Sequence, residues 1–271
     1  MNLLDRSLSP DSLIFFGLIL GRYLLIAGGL YWLFYGFLAE RSTRRRVKHW
    51  PTWKKSIRSD VGLSIASALV FALLASWLTS TPVLIHTRLY TDVSQYGFFY
   101  LIFSFFLVLI LQDTSFYFCH RLFHQPWLFR WVHRGHHRSQ CPTPWTSFAF
   151  DLPEAVMQAL LIIGIVFVFP VHVGILLAAL VTMTLWSVFN HLGFSLFPDS
   201  GVSQWLAQWL IGPQHHLLHH QRYSFHYGLY FTFWDRLLGT QIPASQPQTQ
   251  RSVRLALLTA AKPLAVRGKE R

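Results

Sequence analysis

Charge is what this sequence has least of. Only 13% of its 271 residues are Asp, Glu, Lys or Arg, against about 25% in an ordinary soluble domain. Apolar residues make up 52%, the mean hydropathy is +0.35, and they come in long blocks without a period of 2 or 3.6. A soluble globular domain is excluded, and the chain reads as an integral membrane protein. Cysteine is nearly absent as well. Cys119 and Cys141 are the only two, too few for a disulfide framework, and Cys119 sits among aromatics as a packing residue. The start MNLLDRSLSPDS lacks a basic n-region, Arg6 being its one basic residue beside Asp5 and Asp11, and the apolar stretch after it is too long for a signal-peptide core. The first span is expected to stay in the mature protein.

Acids are scarcer than bases, 11 against 23, for a formal charge of +12. Eight of the basic side chains lie in residues 41–58, RSTRRRVKHWPTWKKSIR, directly after an apolar run. Such a cluster reads as a juxtamembrane loop held on the cytoplasmic face by insertion bias and anionic lipid, and no nucleic-acid partner is expected. A bilayer core takes about 20 apolar residues as a helix. Residues 12–38, 61–80 and 97–118 meet that length. Residues 153–191 are too long for one crossing and are interrupted at Pro170, which suggests a helical hairpin of roughly 154–169 and 171–189. Gly17 and Gly21 form a GxxxG through which another helix could approach, so a homodimer is compatible with the first span. The expected fold is an all-α integral membrane protein with about three transmembrane helices, a helical hairpin and a cytoplasmic helical cap. With the 41–59 loop cytoplasmic, residues 81–96 fall outside. Residues 119 onward return to the cytoplasm, and the hairpin begins and ends there. No internal repeat is visible, and a short amphipathic helix is expected near 251–261.

Histidine is abundant against this apolar background. Three clusters recur: His120 and His124 in HRLFH, His133, His136 and His137 in HRGHH, and His216, His219 and His220 in HLLHH. Residues three and four apart share a helix face, so each HxxHH presents two imidazoles together with a third turned outward. Imidazole suits zinc, copper, nickel and iron. Eight such ligands exceed one ion's capacity and fit two ions with coordination left open. His191, in FNHLGF, is a ninth candidate. His172, His215 and His226 read as neighbours, although His215 is open as an alternative ligand. No Glu-x-x-His or HExxH motif appears, so neither a carboxylate di-iron bundle nor a zinc peptidase is supported. A histidine-only, dinuclear site at a membrane surface favours iron that activates dioxygen against lipid C–H bonds, since no side chain can oxidise them alone. Asp113 and Asp235 are candidates to orient the imidazoles.

These segments resemble the fatty acid hydroxylase/sterol desaturase superfamily, from about Asp113 to Thr240. DTSFYFCHRLFH, LFRWVHRGHHRS and GPQHHLLHH resemble its histidine boxes. NHLGFSLFP is similar to the segment supplying a further ligand, and HYGLYFTFWDRLLGT to its closing motif. The resemblance implies a membrane-bound, O₂-dependent di-iron oxidoreductase acting on a lipid by hydroxylation or desaturation. Carried residue by residue, its ligands would be His120, His124, His133, His136, His137, His191, His216, His219 and His220, holding two irons, with zinc a substitute in purified protein. Catalytic residues beyond the ligands are not implied. In FDLPEA, Asp151 stands where many relatives have histidine, while Glu154 matches; Ser195 stands where relatives have a second histidine after His191. On this basis 1–96 is an N-terminal transmembrane region, 97–241 the catalytic domain and 242–271 a cytoplasmic tail. The implied partners are a membrane lipid as substrate and a separate electron donor: a reductase, or a cytochrome b5-like or ferredoxin-like carrier. A bacterial inner membrane and an endoplasmic reticulum membrane both fit. The rival functions are a non-catalytic relative that binds lipid or metal, a metal transporter, whose ligands belong near the bilayer midplane, and a zinc-dependent lipid hydrolase, for which no acid/base carboxylate is found.

Overall fold

The computed structural model describes residues 10–39, 53–193, 205–206 and 208–242. Most of the basic loop, Ser195 and the helix expected near 251–261 lie outside the described residues. Helix α1 (Pro10–Tyr31) continues as a π-helical turn over Trp32–Phe37. Then come α2 (Trp53–Ser80), α3 (Phe98–Phe123), the short α4 (Pro126–Val132), α5 (Leu152–Val168), α6 (Val173–Asn190), α7 (Pro213–Arg222) and α8 (Phe233–Leu237). Four helical segments are long and apolar enough to cross a membrane: Pro10–Phe37, Ser56–Ser80, Phe98–Phe123 and Val173–Asn190. The protein is an all-α integral membrane protein. Large apolar side chains such as Leu25, Phe99, Phe103 and Leu177 point outward from these helices, as lipid-facing surface requires.

Helices α5 and α6 form the hairpin expected around Pro170. Its tip is tied to the segment before α3. Strand β1 (Leu89–Tyr90) pairs in parallel with β2 (Val171–His172), and Tyr100 donates its hydroxyl to the Pro170 carbonyl at 2.9 Å. His172 caps α6 by accepting the Gly174 N–H and donating to the Thr91 carbonyl, so it sits at the hairpin tip. The hairpin tip is thus held at the N-terminal end of α3, with the open ends of the hairpin away from it. Helix α3 has 26 residues, so it is about 39 Å long against a hydrocarbon core of about 30 Å. Its last turn, which carries His120, therefore projects beyond the apolar layer when its N-terminal end is at the opposite boundary.

Helices α1 and α2 clamp the polar segment 139–150. Tyr23 donates to the Trp145 carbonyl at 2.9 Å and Tyr35 to the Leu192 carbonyl at 2.8 Å. Buried Asp60 accepts the Ser139 hydroxyl at 2.8 Å and the Thr146 hydroxyl at 2.7 Å. Tyr23, Ala27, Phe148 and Val188 form one core beneath this clamp, and Val108, Leu109, Ile165, Val171, Ala179, Leu229 and Tyr230 a second between α3 and the hairpin. Among the described residues, nothing outside the helix itself approaches Gly17 or Gly21 within 4 Å of where a side chain would start.

Candidate metal centre

All nine histidines singled out from the sequence meet at the open end of the hairpin. They form two groups: His120, His124, His133, His137 and His219 in one, His136, His191, His216 and His220 in the other, with candidate ligand atoms within 4.8 Å of one another inside each group. Neither HxxHH cluster turns its third ring outward, as helix periodicity alone had suggested. His136 and His219 each leave their own cluster's group and join the other. Adjacent residues therefore serve different groups at both His136–His137 and His219–His220.

Local structure explains the split. Helix α7 opens with Pro213 after Gly212 and buries seven of its ten residues, His215, His216, His219 and His220 among them. A helix buried over most of its surface can present rings on two faces, so His216 and His220, four apart, face one group and His219 the other. HRGHH is a tight turn instead of a helix. Val132 ends α4, a single turn covers 136–138, and the Gly135 N–H is held by Asp151 Oδ2 at 2.6 Å. A side chain at 135 would collide with that carboxylate. His191 caps the C-terminal end of α6, and His124 that of α3.

The ring nitrogens are set by acceptors that cannot donate. His120 Nδ1 donates to the Tyr227 carbonyl at 2.9 Å, His191 Nδ1 to that of Ser187 at 2.7 Å, His219 Nδ1 to that of Phe225 at 2.7 Å and His136 Nδ1 to that of Ala149 at 3.3 Å. A neutral imidazole with its proton on Nδ1 has a bare lone pair on Nε2. His136 and His191 turn those bare Nε2 atoms toward each other at 3.3 Å. His191 Nε2 also lies 2.9 Å from His216 Nε2, and His120 Nε2 lies 3.0 Å from His133 Nε2. Burial disfavours the imidazolium: it holds His191 down at about 4 and His136, His137, His216, His219 and His220 well below their ordinary value of 6.5. Converging lone pairs on neutral rings repel one another unless a cation lies between them. The donor set fits metal ions, and its all-imidazole character suits a transition metal.

One carboxylate touches this cage among the described residues. Glu154, buried in the first turn of α5, accepts His133 Nδ1–H at 2.7 Å. Asp113 and Asp235, the carboxylates expected to orient imidazoles, contact no ring. Asp113 Oδ1 instead accepts the backbone N–H groups of Leu229, Tyr230 and Phe231 at 3.0, 2.7 and 3.2 Å. Asp235 takes those of Tyr227 and Gly228 at 2.9 and 3.0 Å, together with the Thr240 hydroxyl at 2.7 Å. They fix the 227–231 loop, whose Tyr227 carbonyl aims His120, so they act on the cage one step removed. Sequence periodicity put Asp113 on the His120 face of α3, and a backbone loop occupies that face. Glu154 carried a legible signal: it is the single Glu in the apolar hairpin, and an ionisable group in such a run marks function.

His215 and His226 pack ring to ring at 4.8 Å, outside both groups. A cleft opens from the cage between the spans, with Phe71, Phe116, Phe148, Phe150 and Met183 on its walls.

A family model described as fatty acid hydroxylase matches residues 105–240, half of the chain. The chain belongs to the fatty acid hydroxylase/sterol desaturase superfamily. Among curated members, it is 30% identical over 197 residues to a Delta(7)-sterol 5(6)-desaturase of Gibberella zeae, covering 72% of this chain and 59% of that protein. It is 29% identical to the lathosterol oxidase of Homo sapiens over 72% of this chain and 64% of the human protein, and 29% identical to that of Rattus norvegicus over 77% and 68%. The chain thus spans about three fifths of the length of the first two of these superfamily members. No solved structure matches it. The matched segment contains both histidine groups, from His120 to His220.

Proposed function

We propose that this chain is a lipid-modifying oxidoreductase of the membrane, which uses O₂ and electrons from a separate donor to hydroxylate or desaturate a lipid C–H bond. The observation that carries this reading is the convergence of bare Nε2 atoms in two buried groups at the mouth of an aromatic cleft. The nine histidines would hold two irons, one per group: His120, His124, His133, His137 and His219 the first, His136, His191, His216 and His220 the second. Bound iron would supply the activation of dioxygen that no side chain provides.

The chain's own residues do the rest. Carbonyl acceptors at Tyr227, Ser187, Phe225 and Ala149 lock the rings before any ion arrives, so little reorganisation accompanies binding. Glu154 holds the His133 ring and raises its basicity. Phe71, Phe116, Phe148 and Phe150 keep the cleft apolar, which admits a lipid and keeps bulk water from the oxidised carbon. Sterol substrates are the first to test, because the relatives above are a sterol desaturase and lathosterol oxidases. The cage lies at one end of the spans, and the cytoplasmic side, where the charge bias of residues 41–58 would place it, is where a soluble donor could reach it.

The test is oxidation of a lipid panel that includes lathosterol, by iron-loaded protein in bilayer nanodiscs with a chemical or enzymatic reductant. Products are read by mass spectrometry with and without O₂. The expected result is an O₂- and reductant-dependent product from at least one lipid. Retained metal with no lipid oxidised would overturn the proposal.

A further inference from the structure

The two histidine groups differ in their supply of negative charge. Glu154 touches the five-membered group at His133, whereas among the described residues no carboxylate touches the four-membered one. Its rings are buried and neutral, so a divalent ion seated among His136, His191, His216 and His220 keeps its full charge. In an interior that excludes water, such a charge is costly without an anion nearby.

Asp60 is the one acid in the span Ser56–Ser80, and it is 2% exposed. Its carboxyl accepts the Thr146 hydroxyl at 2.7 Å and the Ser139 hydroxyl at 2.8 Å. Thr146 Oγ1 itself accepts the Thr143 N–H at 3.0 Å, which leaves its hydrogen for Asp60. Both partners belong to the segment that carries the four-membered group. Ser139 directly follows the turn that holds His136. Thr146 lies in the turn that ends at Ala149, whose carbonyl accepts from His136 Nδ1 at 3.3 Å. Among the described residues Asp60 forms no ion pair, and the exposed Arg138 donates to Ser59 at 3.0 Å. A buried carboxylate with neutral partners alone is costly, and an ionisable group in a span marks function. An anion without a cation and a cation site without an anion therefore share one polar segment.

We infer that Asp60 is the counter-charge of the ion in the four-membered group, acting through space and coordinating nothing, and that it biases this group toward divalent ions. The inference rests on the metal-binding part of the oxidoreductase reading. It gives the centre a residue from α2, outside the matched segment 105–240. At an effective dielectric constant of about 20, a unit charge about 10 Å from an ion changes its affinity roughly tenfold for each charge the ion carries. Losing the Asp60 charge therefore weakens a divalent ion far more than a monovalent one. Losing its hydrogen bonds alone has no such preference.

The experiment measures Zn²⁺ and Cu⁺ affinities of the full chain in mild detergent by chelator competition, at the site that His191→Ala removes. Both ions accept imidazole ligands. Asp60→Asn should lower the ratio of Zn²⁺ to Cu⁺ affinity by about tenfold. Thr146→Val, which breaks the same hydrogen bond and keeps the charge, should leave the ratio at its wild-type value. A merely structural clamp predicts that Asp60→Asn weakens both ions alike, and an unchanged ratio overturns the inference. Asp60→Asn combined with Thr146→Asp moves the carboxylate to the other end of the same hydrogen bond. That pair should return the ratio toward wild type, and it serves alone where Asp60→Asn does not fold; a low ratio in it also overturns the inference. Turnover keeps the two readings apart. A lowered ratio in Asp60→Asn with no lipid oxidised by the wild type sinks the oxidoreductase reading and leaves Asp60 its role. Lipid oxidised by the wild type with the ratio unchanged sinks the counter-charge alone, and a wild type that binds neither ion at this group overturns both.

Discussion

The two histidine groups are built differently. The four-membered group is buried throughout, and His191 and His136 are aimed by backbone carbonyls of α6 and of the 144–149 turn. The five-membered group includes His124, half-buried at the end of α3 with neither ring nitrogen hydrogen-bonded, and it alone is touched by a carboxylate, Glu154. The four-membered group draws its rings from the end of α6, the 136–138 turn and α7, and has no fifth imidazole. The second has a ligand in reserve and a charged group that can tune one of its rings. A dinuclear site with unequal halves can keep one ion firmly fixed while the other changes its coordination during a reaction.

Removing a ring should separate the halves most clearly. His191→Ala or His216→Ala leaves three imidazoles in the four-membered group, so one ion per chain and all lipid oxidation should be lost, read by elemental analysis and turnover. His124→Ala leaves four in its group, and the ion there should be retained with reduced turnover. Equal loss from both substitutions would break the asymmetry.

A smaller effect is expected when the carboxylate is neutralised. Glu154→Gln should weaken one ion's affinity by about 10–100-fold and leave the other unchanged, measured by competition with a chelator. Asp113→Ala should act on stability: it strips the acceptor from three N–H groups of the 229–231 loop, a loss of about 3 kcal/mol or more, visible as a fall in Tm. His215→Asn should have the least consequence, since His215 lies outside both groups, and the metal content should not change.

Acid should act on both halves of the metal-free protein. The imidazoles are buried neutral, with folded values pressed below 6.5, to about 4 at His191. The unfolded chain then binds more protons, so stability is complete above about pH 6.5 and is lost as pH falls from there toward 4. A denaturation series between pH 7 and 4 in the absence of metal should show midpoints that fall with pH. A flat series would contradict the buried, neutral cage.

The apolar blocks made the spans and the hairpin legible, because a bilayer imposes length and hydropathy on every crossing. The histidine clusters were legible for a related reason: an apolar chain has few grounds to cluster histidines, and both HxxHH clusters stand out. Their division was not. Helix spacing paired His133 with His136 or His137 and could not tell that HRGHH folds as a turn after Pro126–Val132, or that seven of the ten residues of α7 would be buried. Asp113 misled for the same reason. Its periodicity with His120 was real, but the 229–231 loop, more than 100 residues later, took the place an imidazole was expected to fill. The carbonyl of Tyr227 carried no sequence signal, since its role depends on which distant side chain arrives beside it.

The central claim is that the nine histidines form two metal sites. Its most direct test is metal content per chain, by elemental mass spectrometry on protein purified in mild detergent from iron-supplemented cells, with His136→Ala alongside. Two groups predict about two ions per chain in the wild type and a clear fall in the variant, with one ion retained in the group His136 does not join. A single ion, or none, unaffected by the substitution would contradict it.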